Sequence, residues 1–376
     1  MNLKKLLKIF ISWRLLILLS AFIAISRIPF KPSFPYSQAI LQPLGAPILH
    51  RWGNFDGVHY LTIINKGYVG TGSIQAFFPV YPSITRFLSS LFNNPLIAGL
   101  TISHLSFFAS LWLLYKLIIL DENKQVAIKS LLLLIAFPTS FFFAALYTES
   151  FFLLLILLVF YLARKKRWWL AGIIGAIAAA TRFVGIFIVP ALLLEWWQQT
   201  NKKNRLKNID QTLAALLPST GLFLFMRYLQ KTFQDALLFV HVQSSFGAGR
   251  QSDRLILLYQ VFWRYIKMIF TVSKNTLLFY TVSMEFLSGL VFLILIIAAF
   301  YMTRKSYALF AALAYLAPTL TGTFSSMPRY VLVLFPAFII LAKIIKSKPL
   351  FYLITTLFGI LQLINTALFI QGYWIA

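Results

Sequence analysis

An aspartate and a histidine, Asp56 and His59, stand three positions apart in a chain that has nine acidic residues and four histidines among its 376 residues. They lie in the stretch "NFDGVHYLTIINKGY" (54–68), after the first long apolar run. An ionised carboxylate beside a dry cleft can accept a proton from a substrate hydroxyl. The stretch therefore predicts a general base at Asp56. The alternative is a carboxylate that only caps its own helix.

The same stretch has the pattern of a short amphipathic helix. Asn54 is expected to cap its start and Gly67 to end it. Its apolar residues share one face at helical spacing, namely Val58, Leu61 and Ile64. Asp56 and His59 fall on the other face, and the helix dipole favours an ionised Asp56 in the first turn. We therefore predict an interfacial helix at the outer membrane boundary, with its carboxylate turned toward water.

Two charged residues interrupt apolar sequence farther along the chain. Glu149 in "YTES" is expected at the outer end of a helix, where it can bind hydroxyl groups of a ligand or help to orient one; the alternative is a helix cap or a loop acid. Arg182 breaks the run "GAIAAATRFVGIF" and can bind an anion such as phosphate through two parallel hydrogen bonds. A structural arginine that extends to the membrane interface is the alternative for Arg182.

The remaining candidates are cations and one further glutamate. Arg329 in "SSMPRY" is a second candidate for phosphate binding, and Arg250 and Arg254 are loop arginines that can contribute. Glu285 in "TVSMEFLSG" either pairs with a cation or lines a groove, and the pattern does not decide between the two. Since no acidic or histidine cluster has metal-ligand spacing, we expect no metal ion and no cofactor.

Composition indicates the environment in which this chemistry would occur. The chain is 60% hydrophobic and 17% aromatic, with a mean hydropathy of +0.81, which is typical of a polytopic membrane protein. The absence of cysteine excludes disulfides and thiolate metal sites. The net charge of +25 is scattered between apolar runs, which favours loops that orient helices over nucleic-acid binding.

The apolar runs predict a single all-α membrane domain over residues 1–376 with about eleven spans, since a bilayer needs roughly 20 apolar residues per helix. These are 9–28, 95–119, 129–147, 150–163, 168–181, 183–197, 211–229, 277–302, 306–322, 330–345 and 350–372. With the first residues in the cytoplasm, the basic clusters all fall on one side: 4–8, 164–167, 202–207, 304–305 and 343–348. Two larger loops, 29–94 and 230–276, then face outward.

Several stretches resemble one family in the same order along the chain. "RWGNFDGVHYLTIINKGY" (51–68) followed by "AFFPVYP" (76–82) resembles the bacterial relatives of GPI mannosyltransferase 2, the PIG-V family of GT-C membrane glycosyltransferases. "ALYTESFF" (145–152), "AAATRFVG" (178–185) and "SSMPRYVLVLFP" (325–336) agree with it less specifically. The resemblance thus extends over most of the chain and implies a GT-C-like fold.

The resemblance also implies a reaction. The acidic residue of the first outer loop, here Asp56, would be the catalytic carboxylate, and the donor a polyprenyl-phosphate sugar, typically mannose. The acceptor would be a hydroxyl of a glycan or lipid at the outer face of a bacterial plasma membrane. Side chains in the matching stretches are expected to bind substrate: His59, Tyr60, Tyr81, Glu149, Arg182 and Arg329. For the aromatic ones, the alternative is a belt that anchors the protein at the interface.

Two other function classes remain open at this point. A transporter or flippase of lipid-linked or anionic substrates would use the intramembrane charges as its pathway. A non-catalytic membrane scaffold would have no reason to cluster Asp56, Glu149 and the arginines. The enzyme requires these groups around one outward cavity, and a lipid donor is in keeping with the lack of a nucleotide-binding G-x-G-x-x-G motif.

Overall fold

The computed structural model describes residues 1–32, 36–201 and 209–375. Within these ranges the chain forms α-helices joined by short 3-10 helices and loops, without β-strands. The all-α prediction is therefore confirmed for the described part of the chain. The predicted basic cluster at 202–207 lies outside the described residues.

The N-terminal part holds one long helix and four shorter ones. They are α1 (Leu3–Arg27), α2 (Ser37–Leu41), α3 (Pro47–His50), α4 (Asp56–Lys66) and α5 (Val80–Phe92). Helix α4 ends at Gly67, whose φ of 74° suits a residue without a Cβ atom, as predicted. Helix α5 begins immediately after Pro79 and carries exposed apolar side chains at Phe87 and Leu91.

Helix α4 is packed against protein on both faces, and only Asn65 and Lys66 at its end are exposed. The apolar face is buried as expected, with Leu61 fully inaccessible. The opposite face turns Asp56, whose side chain is 16% exposed, toward a partly open cavity. The position of α4 at the outer membrane boundary stays a prediction.

The middle part begins with a long helix capped by polar side chains. Asn94 accepts hydrogen bonds from the N–H groups of Leu96 and Ile97 and so starts α6. A helix predicted to continue to residue 147 ends at Ala136 instead, because Phe137 precedes a proline and takes an extended conformation. The helices of this part are α6 (Pro95–Ile118), α7 (Lys124–Ala136), α8 (Glu149–Arg164), α9 (Trp168–Ala179) and α10 (Ile188–Gln199).

The last described range, residues 209–375, contains nine α-helices. The first five are α11 (Ile209–Leu216), α12 (Pro218–Phe233), α13 (Leu238–His241), α14 (Leu258–Thr271) and α15 (Leu277–Met302). The last four are α16 (Lys305–Thr319), α17 (Met327–Tyr330), α18 (Phe335–Ile344) and α19 (Lys348–Ile370). Gly221 of α12 lies so close to α9 that a Cβ atom there would come within 2.0 Å of the Ala176 carbonyl oxygen. Small residues at such crossings are typical of helix packing in membranes.

Five helices of the described chain are long and apolar enough to cross a membrane, or six if one bent pair counts as a span. They are α1, α6, α11 with α12, α15 and α19. The bent pair joins Met327–Val333 to Phe335–Ile344 at 86°. Shorter apolar helices occupy 168–179 and 183–199, where short spans were predicted. The total of eleven spans remains a prediction.

Candidate active site

A cavity of about 1490 Å³ opens among the helices of the described chain. Its walls come from stretches far apart in sequence, including α4, the start of α8 and the loop that contains Arg250. One part of the wall is charged, and another is apolar, with Phe183, Val184 and Phe187. A space of this size with a few convergent polar groups has the character of a ligand site.

Four of the predicted site residues form one chain of alternating charge at this cavity. Arg329 Nη1 donates to Asp56 Oδ2 at 2.5 Å. Arg329 Nε lies 3.6 Å from Glu149 Oε1, and Arg182 Nη1 donates to the same oxygen at 2.7 Å. The side chains of Glu149 and Arg329 are 2% and 6% exposed, so these charges are compensated by one another and not by water.

Asp56 begins α4 directly after a strained residue, and hydrogen bonds fix the backbone on both sides of that residue. The preceding residue, Phe55, has φ 59° and ψ −120°, a conformation that is unfavourable for residues with a side chain. The Asp56 N–H donates to the Tyr147 hydroxyl at 3.2 Å, and this hydroxyl donates to the Asn54 carbonyl at 2.9 Å. Strain that is maintained in this way is found mainly at functional sites.

Asn54 does not cap α4, contrary to the prediction. Its amide donates instead to the carbonyl oxygens of Phe369 and Ile370, at 2.9 and 3.2 Å. The last carbonyls of a helix lack partners within the helix, and Asn54 satisfies two of them in α19. This contact anchors the Asp56 loop to the end of a helix more than 300 residues away.

Arg329 sits on α17, a helix of one turn that also starts from a strained residue. Ser326 has φ 67° and accepts hydrogen bonds from the N–H groups of Arg329 and Tyr330, each at 3.0 Å. The Arg329 guanidinium lies 5.3 Å from the ring centres of Tyr147 and Tyr330, within the range of cation–π attraction. The orientation of the guanidinium is thus determined by two acids and two aromatic rings.

Glu149 is the first residue of α8, where the N–H groups of the first turn and the helix dipole favour a negative charge. Its oxygen Oε2 is buried and has no hydrogen-bond partner among the described residues, and the same holds for the hydroxyl oxygen of Ser326. Both residues line the cavity. A buried polar atom without a partner is unfavourable, so these atoms mark a place where a polar ligand would be stabilised.

The charges around Asp56 keep it ionised. Burial alone would raise the pKa of Asp56, but Arg329, together with smaller effects of His59 and Arg250, outweighs it and leaves the pKa below its usual value. Burial lowers the pKa of His59, against the opposing effect of Asp56. At neutral pH the site therefore presents a carboxylate beside a neutral imidazole.

The predicted aromatic and imidazole residues occupy two layers. His59 lines the cavity and packs on Phe77, with ring centres 5.0 Å apart. Tyr60 also lines it, and its hydroxyl lies 3.4 Å from Thr148 Oγ1. Tyr81 lies behind Tyr60, is fully buried and is not among the residues lining the cavity. Its hydroxyl contacts the backbone and side chain of α6, which indicates a packing role.

The remaining candidates differ in their positions. Arg250 lines the cavity, and its Nη2 donates to the Tyr330 hydroxyl at 3.4 Å, while Arg254 lies exposed at the rim. Glu285 has neither of its two predicted roles. It accepts hydrogen bonds from the Tyr265 hydroxyl and from the Ser326 N–H, and it does not line the cavity. Sequence reasoning missed Ser326 and Tyr147, whose only signal was their presence in the family-like stretches.

Neither a scan against protein-family models nor a search of curated proteins finds a match to this chain. The fold and the site therefore define only a class of protein. Its described residues are helical, with helices apolar enough to cross a membrane, and a buried chain of charged side chains lines a large cavity.

Proposed function

We propose that this protein is a membrane glycosyltransferase that moves a sugar, mannose by family resemblance, from a polyprenyl-phosphate donor to an acceptor hydroxyl. The observation that carries the proposal is the chain Asp56–Arg329–Glu149–Arg182 at the wall of one large cavity. A scaffold would gain nothing from burying four charges beside an open space, since buried ion pairs add little to stability.

The reaction is a single displacement. The acceptor oxygen attacks the anomeric carbon, the bond from that carbon to the phosphate oxygen breaks, and the lipid phosphate leaves with the electron pair. The proton of the acceptor hydroxyl passes to Asp56. Attack from the face opposite the leaving group inverts the anomeric configuration.

The pairing with Arg329 gives Asp56 a defined part in this step. Arg329 binds Oδ2, whereas Oδ1 accepts no hydrogen bond from the described residues. The lowered pKa makes Asp56 a weak base that is fully ionised at neutral pH. Such a group orients the hydroxyl from the start and takes its proton late, when the attacking oxygen has become acidic.

The sugar would lie between Glu149 and Ser326. Glu149 Oε2 can accept a hydrogen bond from a sugar hydroxyl, and the Ser326 hydroxyl can donate or accept one. Both atoms gain the partner that they lack in the free protein. A hydrogen bond to a charged acceptor contributes about 1.5–3 kcal/mol, enough to select a polyhydroxylated ligand over an apolar one.

The donor phosphate would lie nearest Arg250. Arg329 and Arg182 already bind carboxylates, whereas the hydrogen bond that Arg250 makes to Tyr330 is long, at 3.4 Å. Apart from Arg254 at the exposed rim, Arg250 is therefore the guanidinium at the cavity with most hydrogen-bonding capacity left for an anion. The Arg182 guanidinium, which lies 5.7 Å from the Tyr330 ring, lines the same cavity, and the apolar wall at Phe183 and Phe187 suits an isoprenoid chain.

The test is a transfer assay with purified protein and a panel of polyprenyl-phosphate sugars, with short alcohols and glycolipids as acceptors. Mass spectrometry should detect glycosylated acceptor and free polyprenyl phosphate in equal amounts, and NMR an inverted anomeric centre. A flippase or transporter of lipid-linked or anionic substrates would instead move labelled donor across vesicle membranes without forming product. That result would replace the proposal.

A further inference from the structure

We infer that Tyr265 and Glu285 are positioning residues that hold Arg329 against Asp56 through the backbone of Ser326. Neither residue lines the cavity, so each would affect the reaction by positioning Arg329 and not by contact with the substrate. The catalytic consequence rests on the proposed function, but the positioning itself does not.

The connection consists of short and buried contacts. Glu285, 5% exposed in the middle of α15, accepts from the Tyr265 hydroxyl at 2.6 Å with Oε2 and from the Ser326 N–H at 3.1 Å with Oε1. The Tyr265 hydroxyl also lies 3.1 Å from Thr323 Oγ1, and this oxygen accepts from the Ser325 N–H at 3.0 Å. Glu285 and Thr323 thus bind the backbone that leads into α17, and the Tyr265 hydroxyl joins these two side chains.

The segment they bind is the one that needs support. Ser326 takes a left-handed conformation, which costs energy for any residue other than glycine. Its carbonyl accepts the N–H groups of Arg329 and Tyr330, so its conformation determines where α17 begins. If Glu285 is removed, the buried Ser326 N–H loses its partner and the left-handed turn can relax. Arg329 would then leave its position beside Asp56.

The chemistry of Glu285 predicts which replacements are tolerated. Glu285→Gln keeps an oxygen for the Ser326 N–H, and its NH₂ group can donate to Tyr265, whose hydroxyl can turn to Thr323. Glu285→Ala removes both contacts, and Tyr265→Phe removes one. A positioning role therefore predicts near-normal behaviour for Gln and a loss for Ala, with Phe between them.

The kinetic test compares kcat and donor KM for these three variants. Because a displacement of about 1 Å at a reacting group can cost about 100-fold in rate, Glu285→Ala should lower kcat about 10- to 100-fold with donor KM nearly unchanged. The matched control is Tyr315→Phe. It removes the hydroxyl of an equally buried tyrosine that also bonds α15, but at the Gly289 carbonyl (2.7 Å) and not at Glu285.

A second readout does not depend on activity. Dicyclohexylcarbodiimide modifies protonated carboxyl groups, and mass spectrometry of the peptide around Asp56 reports its protonation as a function of pH. The charged and titratable groups that act on Asp56 are Arg329, His59, Arg250, Tyr60, Tyr147 and Tyr330. Since Arg329 lowers the pKa of Asp56, its displacement should move the labelling midpoint to higher pH.

The two readouts separate the two proposals. A shifted labelling midpoint in Glu285→Ala and Tyr265→Phe, but not in Glu285→Gln or Tyr315→Phe, supports positioning even if no sugar is transferred. An unchanged midpoint in folded Tyr265→Phe and Glu285→Ala overturns it, even if Asp56 proves essential for transfer. If Glu285→Ala does not fold, an unchanged midpoint in Tyr265→Phe alone is decisive.

Discussion

Two buried glutamates, one near each end of α8, differ in how completely their carboxylate oxygens are hydrogen-bonded. Glu195, at the end of α10, is fully buried, and each of its oxygens accepts hydrogen bonds, from Arg304, Gln199 and Ser306. Glu149, 2% exposed, also contacts two arginines, but its Oε2 has no partner and it lines the large cavity. Glu195 therefore has all its hydrogen bonds within the protein, as a structural charge does, whereas the unmet acceptor of Glu149 at the cavity is the basis for proposing that it binds a ligand.

The two sites are separated along one helix. Helix α8 begins at Glu149 and ends at Arg164, which pairs with Asp121 and approaches Glu195. Sixteen helical residues span about 22 Å from the first to the last, most of the thickness of a hydrocarbon core. Both ends contain an Asp–Arg pair and a buried Glu, so residue types alone do not distinguish them. The difference is that only the pair and the glutamate at the Glu149 end line the large cavity.

The largest expected effect is an all-or-none difference in accessibility. In this cysteine-free chain, Arg254→Cys should react with an impermeant thiol reagent in intact cells, and Lys165→Cys only after permeabilisation, because basic short loops remain in the cytoplasm. Both positions are exposed. Labelling of Lys165→Cys in intact cells would reverse the proposed orientation.

The next effect compares the two Asp–Arg pairs. Asp56→Asn should lower turnover about 100- to 10,000-fold, or about 3 to 5 kcal/mol of barrier, because an amide cannot take the acceptor's proton. Asp121→Asn, which also removes a carboxylate paired with arginine, should leave turnover unchanged. The measurement is kcat of both variants in the same detergent. If Asp56→Asn retained more than about a tenth of the activity, the general-base mechanism would be withdrawn.

The structural glutamate should show its effect in stability. Glu195→Ala leaves the Arg304 guanidinium without its carboxylate, and breaking a buried pair typically costs about 3–5 kcal/mol of unfolding free energy. Thermal unfolding should report a clear decrease in Tm, while the activity of each folded molecule stays at the wild-type level. A variant that melts normally but transfers no sugar would show that this cluster is functional.

A smaller effect is expected at Glu149. Glu149→Gln replaces a charged acceptor for the sugar by a neutral amide, and the loss of a charge-assisted hydrogen bond is worth about 1.5–3 kcal/mol. We expect kcat/KM to decrease about 10- to 100-fold. Unchanged kcat/KM would remove Glu149 from the sugar site and make it equivalent to Glu195.

The smallest effect concerns the phosphate. Arg250→Lys keeps the charge but loses the planar two-point contact, so donor KM should rise about 5-fold, which corresponds to roughly 1 kcal/mol. Arg254→Lys, at the exposed rim of the cavity, is the matched control and should change KM little. Equal KM values for both variants would assign the phosphate to Arg182 or Arg329 instead.

Local sequence was sufficient for much of the helical framework. The apolar runs predicted both ends of α6, α15 and α19 to within about two residues, because backbone that is buried in an apolar medium must form a helix. For α1 they predicted the end, but the helix begins earlier, at Leu3 and not at residue 9. Gly67 was correctly predicted to end α4, and Asp56 to lie in its first turn. Each of these depends on residues within a few positions of one another.

Local sequence patterns could not predict contacts between residues that are distant in the chain. Asn54 is a residue type that often caps helices, but in the fold the end of α19 lies close to it, and its amide binds the carbonyls there instead of capping α4. Asp56 was predicted to face water, and Arg329, 273 positions later, to bind phosphate, yet the two form an ion pair. The type of each residue limits the groups that it can bind. Its actual partner depends on the helix ends that the fold brings within hydrogen-bond distance. A buried charge must be neutralised by neighbouring groups, and only tertiary packing determines which residues these are.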